Sequence, residues 1–338
     1  MALLSKAEKS YIQSSLLSDP PLRADGRALT DFRTIALETG VAPLANGSAR
    51  VSIGRNAPDG GGGTEVVAAV KLEVEAIGEG EGVDGGRISC SVSCSPTAYP
   101  HLSSGALDDL QHDMTSVLHS TLGHSSLRPN NLGILPGKKA WLLNLDIVVF
   151  ADAGNVYDTI FMAARAALWD TKVPRTRSVE YRAKKLDSID SESKAMDVDG
   201  ANQDQGKSVL DTRETTKATD FELPDYWDEG EVLGGREAWP VCVTLNLLPS
   251  LHFLDASLQE ESSVPLRLHT MFSFPPTAAP CLQTFRLIGP GVTNSTHIQS
   301  LMKDGEKYAR NIWSALESKL KDEDIRRNQK AREKFICR

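Results

Sequence analysis

The sequence predicts an α/β (α+β) fold in which two flanks, each running strands first and helices last, enclose an acidic stretch. Three observations predict it. Short alternating runs rich in β-branched residues recur in both flanks. A helical period closes each flank. Between them, residues 177–222 lose both periods and almost all aromatic content. At 338 residues, with 40% hydrophobic and 24% charged content, the chain can bury a large core as an ordinary globular protein.

The elements follow in order. MALLSKAEKSYIQSSLL lacks the continuous apolar core of a secretory signal, because Lys6, Glu8 and Lys9 interrupt it. It reads as a short amphipathic helix. Strands are predicted at Phe32–Leu37, Ala49–Ile53, Thr64–Glu75, Arg87–Ser93 and Ala140–Phe150. Asn46-Gly-Ser-Ala49 reads as a turn feeding the second of these, with Gly47 at positive φ. Leu107, Leu110, Met114, Val117, Leu118 and Leu122 form a helical stripe over Ala106–Leu122. Val156–Trp169 is alanine-rich (MAARAALW), which suits a helix lying close against a sheet. The second flank offers strands at Pro240–Leu247, His252–Ser257, Leu266–Ser273 and Leu282–Ile288. A long helix from Ser295 carries Ile298, Leu301, Met302, Tyr308, Ala309, Ile312, Leu316 and Leu320 on one face.

These periods divide the chain into 1–22 (N-terminal helix), 23–176 (first half), 177–235 (acidic disordered insertion), 236–322 (second half) and 323–338 (basic C-terminal tail). The insertion offers too little apolar surface to offset its ordering entropy. From Glu180 to Glu231 it holds 15 acidic and 7 basic residues, which accounts for the whole net charge of −8. The remainder is near neutral and has no basic stripe that would establish nucleic-acid binding. No apolar run is long enough for a membrane span; the longest, Leu142–Phe150, is broken by Asn144 and Asp146.

Five scattered cysteines suit a reducing compartment rather than a disulfide scaffold. Cys90 and Cys94 invite a metal reading. They also alternate with serines, so that Ile88, Cys90, Val92 and Cys94 share one face of a strand, and no second ligand pair stands at zinc-like spacing. His112, Ser116 and His119 fall on one polar helix face, with RNA contact or metal binding as the candidate roles.

The most specific motif is Arg23-Ala-Asp-Gly-Arg27, followed by Asp31-Phe-Arg33. An aspartate flanked by arginines can clamp a leading segment to a neighbouring strand; the same arginines could instead meet RNA phosphates. With the turn at Ala45–Gly47 and the glycine run before TEVVAAVKLEVE, this stretch resembles the N-terminal segment of the ribonuclease PH superfamily. The resemblance covers roughly 18–175 and 239–320. It implies a ribonuclease PH-like fold with two related βαβα-type halves, six such subunits forming a ring around a channel, and no cofactor.

The resemblance also implies where chemistry would lie. Phosphorolytic relatives carry two acids six apart, and LDASLQEES places Asp255 and Glu261 at that spacing. They would bind a metal or protonate a leaving 3′ oxygen. Such a site must also hold phosphate on arginines and oriented N–H groups. The corresponding turn is expected at Gly289-Pro-Gly-Val-Thr-Asn294, where Pro290 has no N–H and no arginine stands; Asn294 or Ser295 there reads as a helix cap. The acid pair is therefore expected to be vestigial, with no catalytic residue and no metal site. Asp152-Ala-Gly-Asn155 resembles the family's strand-to-helix turn, with Asn155 as a cap. Archaeal relatives carry RNA-contacting arginines where this chain has His112, Ser116 and His119. Arg23, Arg27, His112, His119, Lys138 and Lys139 are the candidate RNA contacts, and the basic tail is either a solvated helix end or an RNA arm.

The implied function is a non-catalytic ring subunit of the RNA exosome in 3′-to-5′ RNA processing and decay. Its expected partners are other ribonuclease PH-like ring subunits, RNA-binding cap subunits, associated nucleases and the RNA in the channel, without a membrane. The family is found in nucleus, nucleolus and cytoplasm. The rivals are an active phosphorolytic 3′-exoribonuclease using Asp255 and Glu261, and a free-standing RNA-binding protein.

Overall fold

The computed structural model describes residues 4–54, 62–77, 86–179, 220–224, 230–276 and 278–336. Helix α1 (Lys6–Leu16) opens with a reciprocal cap between Ser5 and Glu8. Then come β1 (Ile35–Thr39), β2 (Gly47–Ile53), β3 (Thr64–Ala76), β4 (Arg87–Cys94), α2 (Ser104–Leu122), β5 (Gly133–Leu135), β6 (Lys139–Ala151) and α3 (Val156–Asp170). Four short strands follow: β7 (Lys172–Val173), β8 (Arg177–Val179), β9 (Asp220–Glu222) and β10 (Glu231–Val232). The second half comprises β11 (Val241–Leu247), β12 (His252–Phe253), α4 (Leu258–Ser263), β13 (Leu266–Ser273), β14 (Cys281–Ile288) and α5 (Ser295–Ile336).

The first sheet runs β1-β2-β3-β6-β4, with β5 added to β6. Its strands pair antiparallel except β4 on β6, which is parallel. That pairing requires the α2 crossover between the two strands, as parallel neighbours do. The second sheet, β12-β11-β13-β14, is antiparallel throughout. In β4, Ile88, Cys90, Val92 and Cys94 are buried and the residues between them exposed, so both cysteines serve as small apolar core residues. Burial drives the Cys90 thiol up to about 12 and the Cys94 thiol up to about 11.

Helix α3 joins the halves. It packs on β1, β2 and β3 of the first sheet and on β11 of the second, and every residue from Val156 to Trp169 is buried. A helix covered on all sides must be apolar all round, and its alanines let both sheets approach. Gly47 shows how closely. It begins β2 with ordinary negative φ, not the positive φ the sequence suggests. A Cβ there would lie 2.5 Å from Thr171 Oγ1 and 2.6 Å from the Ala167 carbonyl oxygen. The one buried cation of α3, Arg165, donates to the carbonyls of Glu237 and Trp239 and lies 5.3 Å from the Trp313 ring centroid. One hydrophobic core consequently spans both halves.

Three further expectations change. The first strand begins at Ile35 rather than Phe32, because the Arg33 amide bonds to Asp255 instead of a neighbouring strand. The predicted strand His252–Ser257 ends at Phe253, and Asp255 takes a left-handed φ of 44°. Disorder does not hold at the ends of the insertion. β8 pairs with β9 and β10 with β7, because Val179 and Leu233 are buried and Phe221 packs edge-on against Trp141. Residues 180–219 and 225–229 lie outside the described residues. The basic tail takes the helix-end form of its two expected ones, continuing α5 to Ile336, with Arg326 on Glu323 and Arg327 on Asp170.

Gly47→Ala is expected to lower stability by about 1–3 kcal/mol, since the new methyl meets backbone that cannot swing away. Urea denaturation checks this; an unchanged midpoint would show that α3 and β2 are not in the contact described.

Candidate active site

The N-terminal segment reaches the second half through three arginines. Arg23, 6% exposed, donates Nε and Nη2 to Glu260 at 2.9 and 2.7 Å. It also donates to the carbonyls of Leu254 and Asp255 at 3.1 and 2.8 Å. Its guanidinium lies 5.3 Å from the Phe253 ring centroid. Glu260 is fixed in turn by a reciprocal cap with Ser257 at the start of α4. Arg27 gives Nε to Asp25, Nη1 to Asp31 O and Asp255, and Nη2 to the Asp255 carbonyl. All three nitrogens of both arginines are thus engaged inside the protein. Of the two readings of Arg23 and Arg27, this geometry supports structural clamping over RNA contact.

Asp255 is the hub. Its carboxylate is wholly buried. It accepts from Arg33 Nε (2.9 Å), Nη2 (2.8 Å) and backbone N (2.7 Å), from Arg27 Nη1 (2.8 Å) and from Asn155 Nδ2 (3.0 Å). Burial alone would raise this carboxyl; the hydrogen bonds and charge of Arg33, then of Arg27, outweigh it and hold the acid below its ordinary range. Asp255 therefore stays ionised and has no proton to give.

Glu261, in the first turn of α4, forms an ion pair with Arg267 of β13. Its Oε2 accepts the backbone N–H of Asn155 at 3.2 Å, at the start of α3. The phosphate-turn expectation shifts accordingly. The turn that meets the acids is 152–155, not 289–294. Gly289, directly after β14, lies against Pro265 and Leu266 at the start of β13. Gly154, with φ of 96°, lies against the backbone of Ala256, Ser257 and Leu258, where a Cβ would come within 2.7 Å of the Leu258 nitrogen. Asn155 is not the side-chain cap expected. It sits at φ 61° and bonds Asp255 instead. A helix N-terminus attracts anions, and here the anion is the chain's own glutamate.

Beside these residues lies a cavity of about 350 Å³ between α2, α4 and β14. Asp113 on α2 receives Tyr157 Oη at 2.8 Å and both Nη groups of Arg286 at 2.8 and 2.7 Å. Beneath it, Thr244 donates its hydroxyl to Asp158 at 2.7 Å and lies 2.9 Å from His269 Nδ1, all buried. Burial pushes Asp158 up to about 7, against the pull of its bonds from Thr244. Burial, then the charges of Arg267 and Arg286, push His269 down to about 3 and keep it neutral.

The remaining predicted residues do not join this site. His112, Ser116 and His119 are exposed on α2. Lys139 pairs with Asp220 at 2.8 Å and lies 5.4 Å from the Phe221 ring centroid, so it braces the base of the insertion. Lys138 and Lys139 stand where the 13-residue β6 begins, about 40 Å from the turn after its last residue. Among the described residues, no group of three or more His, Cys, Asp or Glu side chains could hold a metal ion. Sequence reasoning missed Glu260, Arg267 and Arg286, and placed Arg33 in the motif without making it a site residue. An i, i+3 Ser257/Glu260 capping box was the one local signal pointing to Glu260.

Residues 31–174 match domain 1 of the 3′ exoribonuclease family, RNase_PH. The exosome complex component Rrp42 of Thermoplasma volcanium is 34% identical over 178 residues, covering 52% of this chain and 64% of the relative's length. The putative exosome complex exonuclease RRP42 of Dictyostelium discoideum is 24% identical over 315 residues, 79% of this chain and 84% of the relative. A chain of the Archaeoglobus fulgidus exosome with RNA bound to the active site superposes with a TM-score of 0.63 at 21% identity, covering 91% of this chain and 97% of that one. An archaeal exosome core chain gives 0.60 at 20% identity, covering 92% and 96%. The fold is the ribonuclease PH-like α/β fold.

Two predictions follow from the buried acids. Asp255→Ala strands Arg27 and Arg33 and is expected to cost about 3–5 kcal/mol; the wild-type contribution is present above the ordinary carboxylate range and lost as pH falls through it. Urea midpoints of both proteins against pH test this, and equal midpoints at neutral pH would contradict it. Asp158 has the opposite sign. Its folded value of about 7 exceeds the ordinary 3.8, so its contribution is complete below the ordinary value and lost as pH rises through 7. Asp158→Asn should flatten the fall in stability between mildly acidic and mildly alkaline buffer; a variant that retains the full wild-type slope would rule this out.

Proposed function

From a chain that carries a ribonuclease PH domain and has Rrp42 exosome components among its homologues, we propose a non-catalytic ring subunit of the RNA exosome. It contributes scaffold, subunit interfaces and part of the channel wall for 3′-to-5′ processing and degradation of RNA, including ribosomal RNA processing and messenger RNA decay. Its partners in this reading are other ribonuclease PH-like ring subunits, RNA-binding cap subunits, associated nucleases and the RNA itself. Its place is the nucleus and nucleolus, with a cytoplasmic pool.

One observation carries the non-catalytic reading. The N-terminus of α3 is already occupied by Glu261, which Arg267 neutralises, while Asp255 is closed over by Arg27, Arg33 and Asn155. Phosphorolysis needs an inorganic phosphate held for attack on the terminal phosphodiester, and an acid to protonate the departing 3′ oxygen. Here the amide that would hold phosphate binds a carboxylate, and the buried acid is ionised. The exposed face with His112, Ser116 and His119 supports weak RNA contact at most, because α2 carries no arginine or lysine to neutralise phosphates. RNA binding would then come from the assembly rather than from this chain alone.

Affinity purification of the tagged chain is expected to recover a near-stoichiometric multi-subunit complex. The isolated chain should release no nucleoside diphosphate from RNA in the presence of phosphate. Phosphate-dependent turnover that Glu261→Gln abolishes would establish the active exoribonuclease instead. Tight RNA binding by the isolated chain, with no co-purifying subunits, would favour a free-standing RNA-binding protein.

A further inference from the structure

Behind the start of α3 lies a second and much smaller cavity, of about 10 Å³, bounded by Asn155, Thr244, Asn246, Glu261 and His269. Three polar atoms of its wall have no partner among the described residues: Asn155 Oδ1, Asn246 Oδ1 and His269 Nε2. The residues that carry them are 5%, 1% and 2% exposed. Asn155 gives its Nδ2 to Asp255 at 3.0 Å, and Asn246 gives its Nδ2 to the Phe253 carbonyl at 3.2 Å. Each asparagine oxygen is therefore a spare acceptor. The other nitrogen of His269, Nδ1, lies 2.9 Å from Thr244 Oγ1, which lies 2.7 Å from Asp158. The charged groups nearby are committed to one another. Arg267 pairs with Glu261, and Arg286 with Asp113, which also receives Tyr157. Cys242 and the Asn155 amide bear on Asp158, at the far end of the relay.

We propose that this cavity holds one water molecule, and that the proton on Asp158 sets which tautomer of His269 faces it. The volume suits a single water, and a buried water commonly makes about three hydrogen bonds to such groups. With Asp158 protonated, the acid donates to Thr244 Oγ1, the Thr244 hydroxyl donates to His269 Nδ1, and His269 carries its hydrogen on Nε2. The water then accepts from Nε2–H and donates to both asparagine oxygens, which leaves no polar atom of the wall unserved. With Asp158 ionised, every donor turns round. Thr244 donates to the carboxylate, Nδ1–H donates to Thr244, and Nε2 becomes a third acceptor. A water has only two hydrogens, so it is held less firmly. Each proton moves one bond along, from Asp158 to Thr244, from Thr244 to Nδ1 and from Nε2 to the water, so one proton leaves in all. Burial, with Arg267 and Arg286 beside it and Asp113 opposing them, keeps the imidazole neutral in both states. Burial also brings Asp158 up to about 7, where the switch would act. Neither state depends on whether the neighbouring acid pair is catalytic.

The test follows the His269 ring in the full chain with isotope-labelled histidine, by long-range proton–nitrogen correlation on either side of pH 7; loss of the signal in His269→Gln assigns it. Nε2–H is expected on the acid side, with magnetisation transfer to a bound water, and Nδ1–H on the alkaline side. Asp158→Asn, whose amide nitrogen can only donate to Thr244, should hold the Nε2–H tautomer at both values. A crystal grown on the acid side should show one water bonded to Asn155 Oδ1, Asn246 Oδ1 and His269 Nε2. The proposal is overturned by one tautomer throughout in the wild type, by an imidazolium at either value, or by a switch that persists in Asp158→Asn. An empty cavity in that crystal, or an anomalous signal there after a rubidium soak, overturns it equally.

Discussion

A carboxylate cut off from water has to be neutralised where it stands, and the way Asp255 is neutralised governs the rest of this molecule. An isolated ionised carboxylate in an apolar interior would cost tens of kcal/mol. Here two guanidiniums, one backbone amide and one side-chain amide converge on it. Those donors come from the N-terminal segment and from the start of α3, while the acid belongs to the second half. One buried charge thereby fixes the mutual position of three parts of the chain. Arg23 with Glu260 repeats the device across 237 residues of sequence.

The same arrangement decides what the site can do. An acid pair at the right spacing suggests a nuclease, but spacing says nothing about what else touches the acids. Asp255 is a rivet, held ionised by its arginines. Glu261 accepts the N–H at the start of α3, which in the proposed reading leaves that amide unavailable to phosphate. Phosphorolysis needs oriented N–H groups and cations that are open to the substrate; in the proposed reading, internal anions close them. The fold is ribonuclease PH-like, and in the non-catalytic reading proposed above its buried ion pairs serve stability.

Much of the fold was legible because it rests on local periodicity. The alternation of Ile88, Cys90, Val92 and Cys94, the stripe of α2 and the long face of α5 read correctly from neighbouring residues alone. The site was less legible because its determinants are non-local. Arg23 and Arg27 carried two readings in sequence, and only the arrival of Glu260 and Asp255 from the far half separates them. Asn155 looked like a cap because asparagine before a helix usually is one; its amide instead serves a carboxylate 100 residues away. Gly47 looked like a turn glycine, yet it is small because α3 leaves no space. Residues Leu254–Ser257 looked like strand because alternation cannot register the left-handed turn at Asp255. The ends of the acidic insertion pair as strands for a similar reason, since the buried partners of Val179 and Leu233 lie elsewhere in the chain.

The central claim is that the anion site at the start of α3 is already filled from within. Calorimetric titration of inorganic phosphate into the wild-type chain tests it most directly, with Glu261→Gln as the comparison. No saturable phosphate binding is expected in the wild type, and measurable binding once the Glu261 charge is removed. Saturable binding by the wild type, with Glu261 displaced from Asn155 in a crystal of the bound form, would contradict the account.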